Sequence, residues 1–220
     1  METSVKLKYL GAGLVLGLLS VVGMPAKASA ATIAFTCVTN NSGTCSSYAS
    51  MVTGDVTLSG NVLTALITNT SPGVITDLYV DAPGTGTGYT FTSFIENPDS
   101  TVNFGTSGAP NDLPGGNTAS PAFVANFEFH ATNPSTFNGA GTGEQIGLVF
   151  TLAPAQLALF NTALADGSLR FGLHLQSLPG GFSEGLVSTP PLTSVPEPAS
   201  MLLLGTGLLA AARARRKKIS

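Results

Sequence analysis

The sequence predicts a mainly β protein, an antiparallel β-sandwich with one short helix, flanked by a signal peptide and a C-terminal transmembrane helix. Apolar and polar residues alternate with a period of two in most regular segments, which is typical of strands with one buried face. Turn residues join two such segments as a hairpin. Helical segments do not alternate with strands, so a parallel βαβ sheet is not expected.

About eight strands are predicted. Ser59-Gly60-Asn61 is the hairpin turn between the second and third of them. The turn-rich segment 96–121 is expected to carry little regular structure, because it consists mostly of Asn, Asp, Gly, Pro and Ser. The predicted strands cover residues 32–38, 53–58, 62–69, 74–81, 89–95, 123–130, 146–152 and 169–176.

One helix is predicted between the last two of these strands. Pro154 stands where a first helical residue would, because the proline ring presets the helical φ. Leu157, Phe160 and Leu164 follow at helical spacing, and Gly167 comes just after the last of them. Proline at the start and glycine past the end bound a single short helix.

The first 30 residues have the organisation of a secretory signal peptide. Lys6 and Lys8 precede an apolar run at residues 10–24, and small residues follow. The run is shorter than the roughly 20 residues that a spanning helix needs. We therefore expect cleavage between Ala30 and Ala31, with an uncleaved N-terminal anchor as the alternative. This hypothesis implies export through a translocon and processing by signal peptidase.

Residues 195–220 form a second signal in three parts. An uncharged apolar segment before a basic cluster is a stop-transfer pattern, and the positive-inside rule places the cluster in the cytoplasm. The apolar segment makes a helix of only about 21 Å, short of a hydrocarbon core of about 30 Å, which favours a transient anchor. The parts are Val195, Pro196, Glu197 and Pro198, then residues 199–212, then Arg213, Arg215, Arg216, Lys217 and Lys218.

This tail resembles the PEP-CTERM sorting signal of Gram-negative bacteria. The matching features are Pro196-Glu197-Pro198, the glycine-interrupted Leu/Ala segment 201–212 and the terminal Arg/Lys cluster. The resemblance implies removal of the tail by exosortase, a membrane-embedded protease-transpeptidase. It also implies an association with extracellular polysaccharide and biofilm matrix. Residues 172–185 are similar to a segment found in uncharacterised β-sandwich domains that carry this tail.

The residues between the two terminal signals, 31–194, are expected to form one exported domain. They contain ten acids and a single Lys or Arg, Arg170, which gives a formal charge of −9. One cation cannot neutralise a row of phosphates, so we expect no nucleic-acid partner. An anionic polysaccharide or lipid would also be repelled unless a divalent cation bridged the two surfaces.

The two cysteines, Cys37 and Cys45, lie on either side of the turn residues Asn41-Ser42-Gly43. This spacing would let them face each other across a hairpin loop. Because export favours oxidation, we expect a disulfide. A metal pair is the alternative, but neither histidine is near in sequence.

Gly181-Phe182-Ser183-Glu184-Gly185 fits the Gly-x-Ser-x-Gly pattern of a hydrolase nucleophile. That chemistry needs the serine between a strand and a helix, with an acid and a histidine later in the chain. No helical pattern follows Ser183, and both histidines precede it. The segment is therefore predicted to be a polar loop, and the protein is not expected to be an enzyme.

No metal or cofactor is expected, although two groups of residues were weighed as metal ligands. His130 and His174 lie on polar strand faces, and Glu128 shares the face of His130. Because a metal site needs three or four converging ligands, surface or edge histidines are the favoured interpretation. Calcium, which takes six to eight oxygens, is a possible cofactor beside the loop 84–88, with solvated acids as the alternative. Its candidate ligands are Asp77, Asp81, Asp99 and Asp112.

Together these features predict an exported structural protein that is briefly anchored in the inner membrane and then reaches the cell surface or matrix. The alternative is an extracellular carbohydrate-binding module, which would need exposed aromatic side chains although the chain has no Trp and four Tyr. A secreted hydrolase is the least favoured hypothesis.

Overall fold

The structure, a computed structural model, describes residues 28–96, 101–191 and 195–196. Within these ranges it contains three α-helices and eleven strands. The helices are α1 Cys45–Ala49, α2 Ser135–Asn138 and α3 Pro154–Asp166, with 3-10 turns at Pro83–Gly86 and Gly116–Thr118. The strands are β1 Ala28–Cys37, β2 Val52–Ser59, β3 Val62–Asn69, β4 Val74–Asp81, β5 Tyr89–Glu96, β6 Phe104–Thr106, β7 Phe127–Ala131, β8 Glu144–Leu152, β9 Arg170–Leu178, β10 Phe182–Ser188 and β11 Val195–Pro196.

The strands form one antiparallel sheet in the order β5-β8-β3-β2-β1-β10-β9-β4-β7-β6, with β11 beside β1. Strand β1 joins the two halves of this sheet. Its residues 28–34 pair with β2, whereas its residues 35–37 pair with β10. The mainly β, antiparallel class is thus confirmed, and the two halves of the sandwich form one nearly closed sheet.

The two ends of the sheet, β5 and β6, meet along a seam held by side chains. Phe91 of β5 contacts Phe129 of β7 with ring centroids 4.6 Å apart, and Phe94 lies 6.3 Å from Phe104 of β6. The carboxylate of Glu96 accepts a 2.7 Å hydrogen bond from the Phe104 backbone N–H. Aromatic pairs of this kind stabilise a contact beyond the area that they bury.

A single apolar core fills the space between the halves of the sheet. Because strand side chains alternate between faces, β2 and β3 each bury every second residue. A second, smaller cluster lies on the outer face and is covered by the segment 107–126. It consists of Tyr79, Leu113, Phe123 and Val187.

Most predicted elements are confirmed within two residues of their bounds, but several regions differ. Strand β1 begins at Ala28, four residues before its predicted start. Strand β7 begins only at Phe127, because Phe123 packs in the second cluster and Asn126 caps the end of β4 by accepting the Ala82 N–H at 2.7 Å. The predicted polar loop around Ser183 is strand β10. Helices α1 and α2 and the short strand β6 were not predicted.

Helix α3 begins and ends as predicted, with Pro154 in its first turn and Gly167 at φ 74° after its last residue. It buries Phe160, Ala163 and Leu164. The antiparallel pairing places the start of β1, the turn between β2 and β3, the end of β8 and the start of β9 at the same end of the sheet as α3. We call this the α3 end; α1 and α2 lie at the opposite end.

Residues 1–27 of the predicted signal peptide lie outside the described residues, and its last three residues begin β1. The tail from Glu197 onward also lies outside the described residues. Within the ranges that the structure describes, no helix has the length and apolar character to cross a membrane.

Candidate functional site

The start of the predicted sorting tail lies at the α3 end. Strand β11 pairs with β1, so that Val195 is opposite Ala30 and Pro196 is opposite Ser29. The expected cleavage point between Ala30 and Ala31 therefore lies inside β1, beside the tail. The other predicted tail residues lie outside the described part: Glu197, Pro198, the segment 199–212, Arg213, Arg215, Arg216, Lys217 and Lys218.

Cys37 and Cys45 form a disulfide with their Cα atoms 6.1 Å apart, as predicted. The bridge joins the last residue of β1 to the first residue of α1, rather than two strands of a hairpin. It closes the segment 38–44 into a loop, which we call the disulfide loop. Both cysteines are thereby withdrawn from any metal site.

The disulfide loop is bound to β10 by the carboxylate of Glu184, which is fully buried. This carboxylate accepts hydrogen bonds from the hydroxyl of Thr39 at 2.5 Å and from the backbone N–H groups of Asn41 and Ser42 at 3.0 and 2.7 Å. The Thr39 hydroxyl in turn accepts the Gly185 N–H at 2.8 Å. A buried carboxylate is tolerated here because several donors surround it.

The pKa of Glu184 reflects two opposing effects. Burial raises it, because a low-dielectric environment disfavours the charged form. The hydrogen bonds from Thr39, Ser42 and Asn41 favour the carboxylate and outweigh burial, so the pKa is lowered overall. Glu184 is therefore an ionised anchor for the loop at neutral pH, and its oxygens are committed to the protein's own donors.

Ser183, the serine of the Gly-x-Ser-x-Gly pattern, lies within β10 and not on a turn before a helix. Its carbonyl accepts a 2.7 Å hydrogen bond from the Asn41 side chain. The hydrogen bonds of the described residues include none between Ser183 and a histidine. This environment gives the serine a structural role beside the disulfide loop.

The two histidines of the chain flank one aspartate. Asp77 of β4 is opposite His130 of β7 on one side and His174 of β9 on the other. His174 Nδ1 lies 3.1 Å from the Asp77 carboxylate, whereas His130 Nδ1 lies 3.1 Å from the Ser107 hydroxyl. His130, Asp77 and His174 thus form a partly buried polar strip across three strands, in which each histidine has its own hydrogen-bond partner.

Tyr79 and Glu128 lie next to this strip. Burial, followed by the nearby charges of Asp77 and Glu128, raises the pKa of Tyr79 well above its usual range. Glu128 is itself buried and accepts the backbone N–H of Asn111 at 2.8 Å. Glu128 therefore holds the covering segment through Asn111.

The acids considered as calcium ligands are not brought together in the part of the chain that the structure describes. Asp77 is paired with His174, and Asp81 is paired with Arg170. Asp112 is exposed in the covering segment, while Asp99 lies outside the described residues. Across the ranges that the structure describes, no group of three or more His, Cys, Asp or Glu side chains is placed to hold a metal ion.

Arg170, the sole cation of the domain, lies beside a cavity of about 330 Å³ near the α3 end. Its guanidinium pairs with Asp81, donates to the carbonyls of Pro121 and Ala122, and lies 5.3 Å from the centre of the Phe123 ring. The cavity is rich in hydroxyl side chains, namely Thr36, Thr118, Ser120, Ser188 and Thr189.

Comparison with known proteins assigns the tail and leaves the domain unassigned. The family described as the PEP-CTERM protein-sorting motif matches residues 194–217. No curated protein and no solved structure matches the chain. The match confirms the sorting signal suggested by Pro196-Glu197-Pro198, and it covers only the tail.

Proposed function

We propose that the chain is an exported structural protein of the cell surface or extracellular matrix, sorted through its tail by an exosortase-type system. The observation that carries the proposal is the PEP-CTERM motif at residues 194–217. The motif implies export and membrane anchoring before cleavage. In our proposal the basic cluster 213–218 stays in the cytoplasm, as the positive-inside rule requires, and exosortase releases the domain outward.

The chemistry of the domain's side chains favours a non-catalytic role. Several acids and histidines near its surface are paired within the protein, as at Asp77 and Asp81. Ser183 lies inside a strand, which does not expose a serine as a nucleophile elbow does. The disulfide between Cys37 and Cys45 suits an oxidising compartment. We therefore propose that the folded domain itself, rather than a reaction, is what the sorting system delivers.

A carbohydrate-binding module is the second candidate, and the cavity beside Arg170 favours it. The hydroxyl side chains that line the cavity would suit the hydroxyl groups of a sugar. The test is isothermal titration of the folded domain with neutral and uronic acid-containing oligosaccharides. Binding that is lost in Ser120→Val would support this function, and no heat with either class would remove it.

The sorting proposal is tested by intact mass and fractionation of the chain in its native host. Pro196, Glu197 and Pro198 are replaced together by alanine. A matched control replaces Pro190 and Pro191, two prolines outside the motif. We expect the wild type and the control to lose the tail and move outward, while the motif variant keeps its full C-terminus in the inner membrane. If the wild type also remains full length in that membrane, the tail is a permanent anchor and the proposal fails.

A further inference from the structure

We propose that the protein associates with a second copy of itself through the outer face of the half-sheet formed by β1, β2, β3, β8 and β5, which we call the bare face. The inference adds a partner to the proposed structural role, and it does not depend on sorting by the tail. Three features of the bare face carry it: the face is uncovered, its centre is aliphatic, and it has almost no charge.

The two halves of the sheet differ in what lies on their outer sides. On the half that contains β4, β9 and β10, the segment 107–126 covers the outer face and buries the second apolar cluster. On the bare face, every outward residue of β2 is exposed instead, namely Thr53, Asp55, Thr57 and Ser59. The described part of the chain therefore covers one half of the sheet and leaves the other open to a partner.

The centre of the bare face is a group of aliphatic side chains on three neighbouring strands. Leu66 of β3 and Ile95 of β5 are both opposite Gly147 of β8. Ile95 lies over this glycine, because a Cβ atom there would be 2.8 Å from the Ile95 Cβ. Val62 and Val149 continue the group on β3 and β8, and Val62 and Ile95 are 40% and 43% exposed. Contiguous exposed aliphatic side chains mark interaction sites, whereas single scattered ones do not.

Threonine side chains border this group. Thr64 lies in register between Thr57 of β2 and Val149 of β8, and Thr151 is opposite Thr90 of β5. A protein–protein interface has an apolar centre from which charged residues are depleted, inside a polar rim. The bare face has this composition.

Charge selects a second copy as the partner. The domain carries a formal charge of −9, so two copies repel each other in most orientations. Among the outward-facing residues of these five strands that the structure describes, Asp55 is the only charged one, and it lies beside the aliphatic group, opposite Leu66. Two bare faces can therefore meet with little repulsion, whereas a strongly charged partner would find no complementary charge there.

The size of the bare face suits a weak, reversible contact. With strands about 4.8 Å apart and a rise of about 3.3 Å per residue, five strands of seven residues cover roughly 550 Å². A standard interface buries about 800 Å² on each partner. We therefore expect an association that needs a high local concentration of the protein, such as a membrane or a matrix supplies. A two-fold axis would bring the same face of both copies together.

The test is cross-linking of the full-length chain in phosphatidylcholine vesicles, with one cysteine added. Val62→Cys places it on the bare face, and the matched control is Val124→Cys, because Val124 is 59% exposed in the covering segment of the other half. Cys37 and Cys45 are paired and do not react with maleimides. A short bis-maleimide joins copies whose added cysteines meet, and gel electrophoresis gives the cross-linked fraction. Circular dichroism checks the fold, and flotation measures the anchoring separately.

We expect cross-linked dimers of Val62→Cys and only the random background for Val124→Cys. Adding Leu66→Glu should lower the dimer fraction about tenfold, because like charges would then face each other across the contact. Thr57→Glu, at an exposed position outside the core, should lower it in the same direction without affecting the fold. Equal cross-linking of the two cysteine variants, or a dimer fraction that neither glutamate lowers, overturns the inference.

A neutral polymer is the competing occupant of the bare face. If no dimer forms and dextran protects Val62→Cys from a single maleimide, the face binds a neutral glucan and the inference is wrong. If the chain does not float with the vesicles, the proposed anchoring fails, and the same cross-linking in solution still decides whether two copies meet through this face.

Discussion

Glu184 and Ser42, 142 positions apart in the chain, are joined by a 2.7 Å hydrogen bond in which the Ser42 backbone N–H donates to the Glu184 carboxylate. The bond ties the loop closed by the disulfide to the strand that follows the last glycine turn. The disulfide closes the loop, whereas the buried Glu184 carboxylate fixes the conformation of the loop through its hydrogen bonds.

Glu184→Gln should destabilise the domain by about 1–3 kcal/mol, because a neutral amide is a weaker acceptor and brings donors of its own toward the Asn41 and Ser42 N–H groups. Urea unfolding measures the change. Asp55→Asn is the control, since Asp55 is an exposed carboxylate with a hydroxyl partner, Thr32. Equal stability losses in the two variants would contradict the anchoring role of Glu184.

The lowered pKa of Glu184 predicts a specific pH dependence of stability. A group whose pKa is lower in the folded state stabilises the fold above its unfolded pKa, about 4.3 for Glu, and this stabilisation is lost as the pH falls through the folded value. The melting temperature of the wild type should therefore fall more steeply below that pH than the melting temperature of Glu184→Gln. If the melting temperatures of the wild type and Glu184→Gln fell equally with pH, the Glu184 carboxylate would not be the titrating group.

Replacing Cys37 and Cys45 together by alanine should cost about 2–3 kcal/mol of unfolding free energy, because the unfolded chain regains the freedom of the short loop. Unfolding of the oxidised wild type and the double variant gives the difference. Hydrogen exchange should also quicken at the Asn41 and Ser42 amides. If exchange there is unchanged, Glu184 alone holds the disulfide loop.

Arg170→Met should destabilise the domain by about 3–5 kcal/mol, because it leaves the Asp81 carboxylate without its partner in a largely buried site. The double variant Arg170→Met with Asp81→Leu should recover a large part of that loss. A chemical unfolding series of the wild type, the two single variants and the double variant checks this prediction. Additive losses would mean that the two side chains do not act as a pair.

The sequence predicted the strands with one buried face well, because their alternation is a local property. Strand β10 was missed since its glycines and Glu184 resemble a loop until the donors of Asn41 and Ser42 are known. Those donors come from a distant part of the chain, which no local pattern contains. The alignment of His130 and His174 on either side of Asp77 was not predicted for the same reason, because the three residues come from strands that are distant in sequence.

Residues 123–126 show the opposite error, since a clean alternation predicted a strand that begins only at Phe127. Phe123 has its own apolar cluster on the outer face, with Tyr79, Leu113 and Val187. The alternation indicates which residues are buried. It does not indicate that Phe123 is buried in the outer cluster while Phe129 is buried in the main core. The sorting tail needed no tertiary information, because its parts are contiguous in sequence.

The seam between β5 and β6 affects which contacts two copies of the domain could make. A sheet with open edges can polymerise by adding strands from other copies. Here the two terminal strands face each other through Phe91, Phe94 and Glu96, so their edges are turned toward one another. Fibre growth by strand addition is therefore disfavoured, and a contact between two copies would instead use side chains on the faces and ends of the domain.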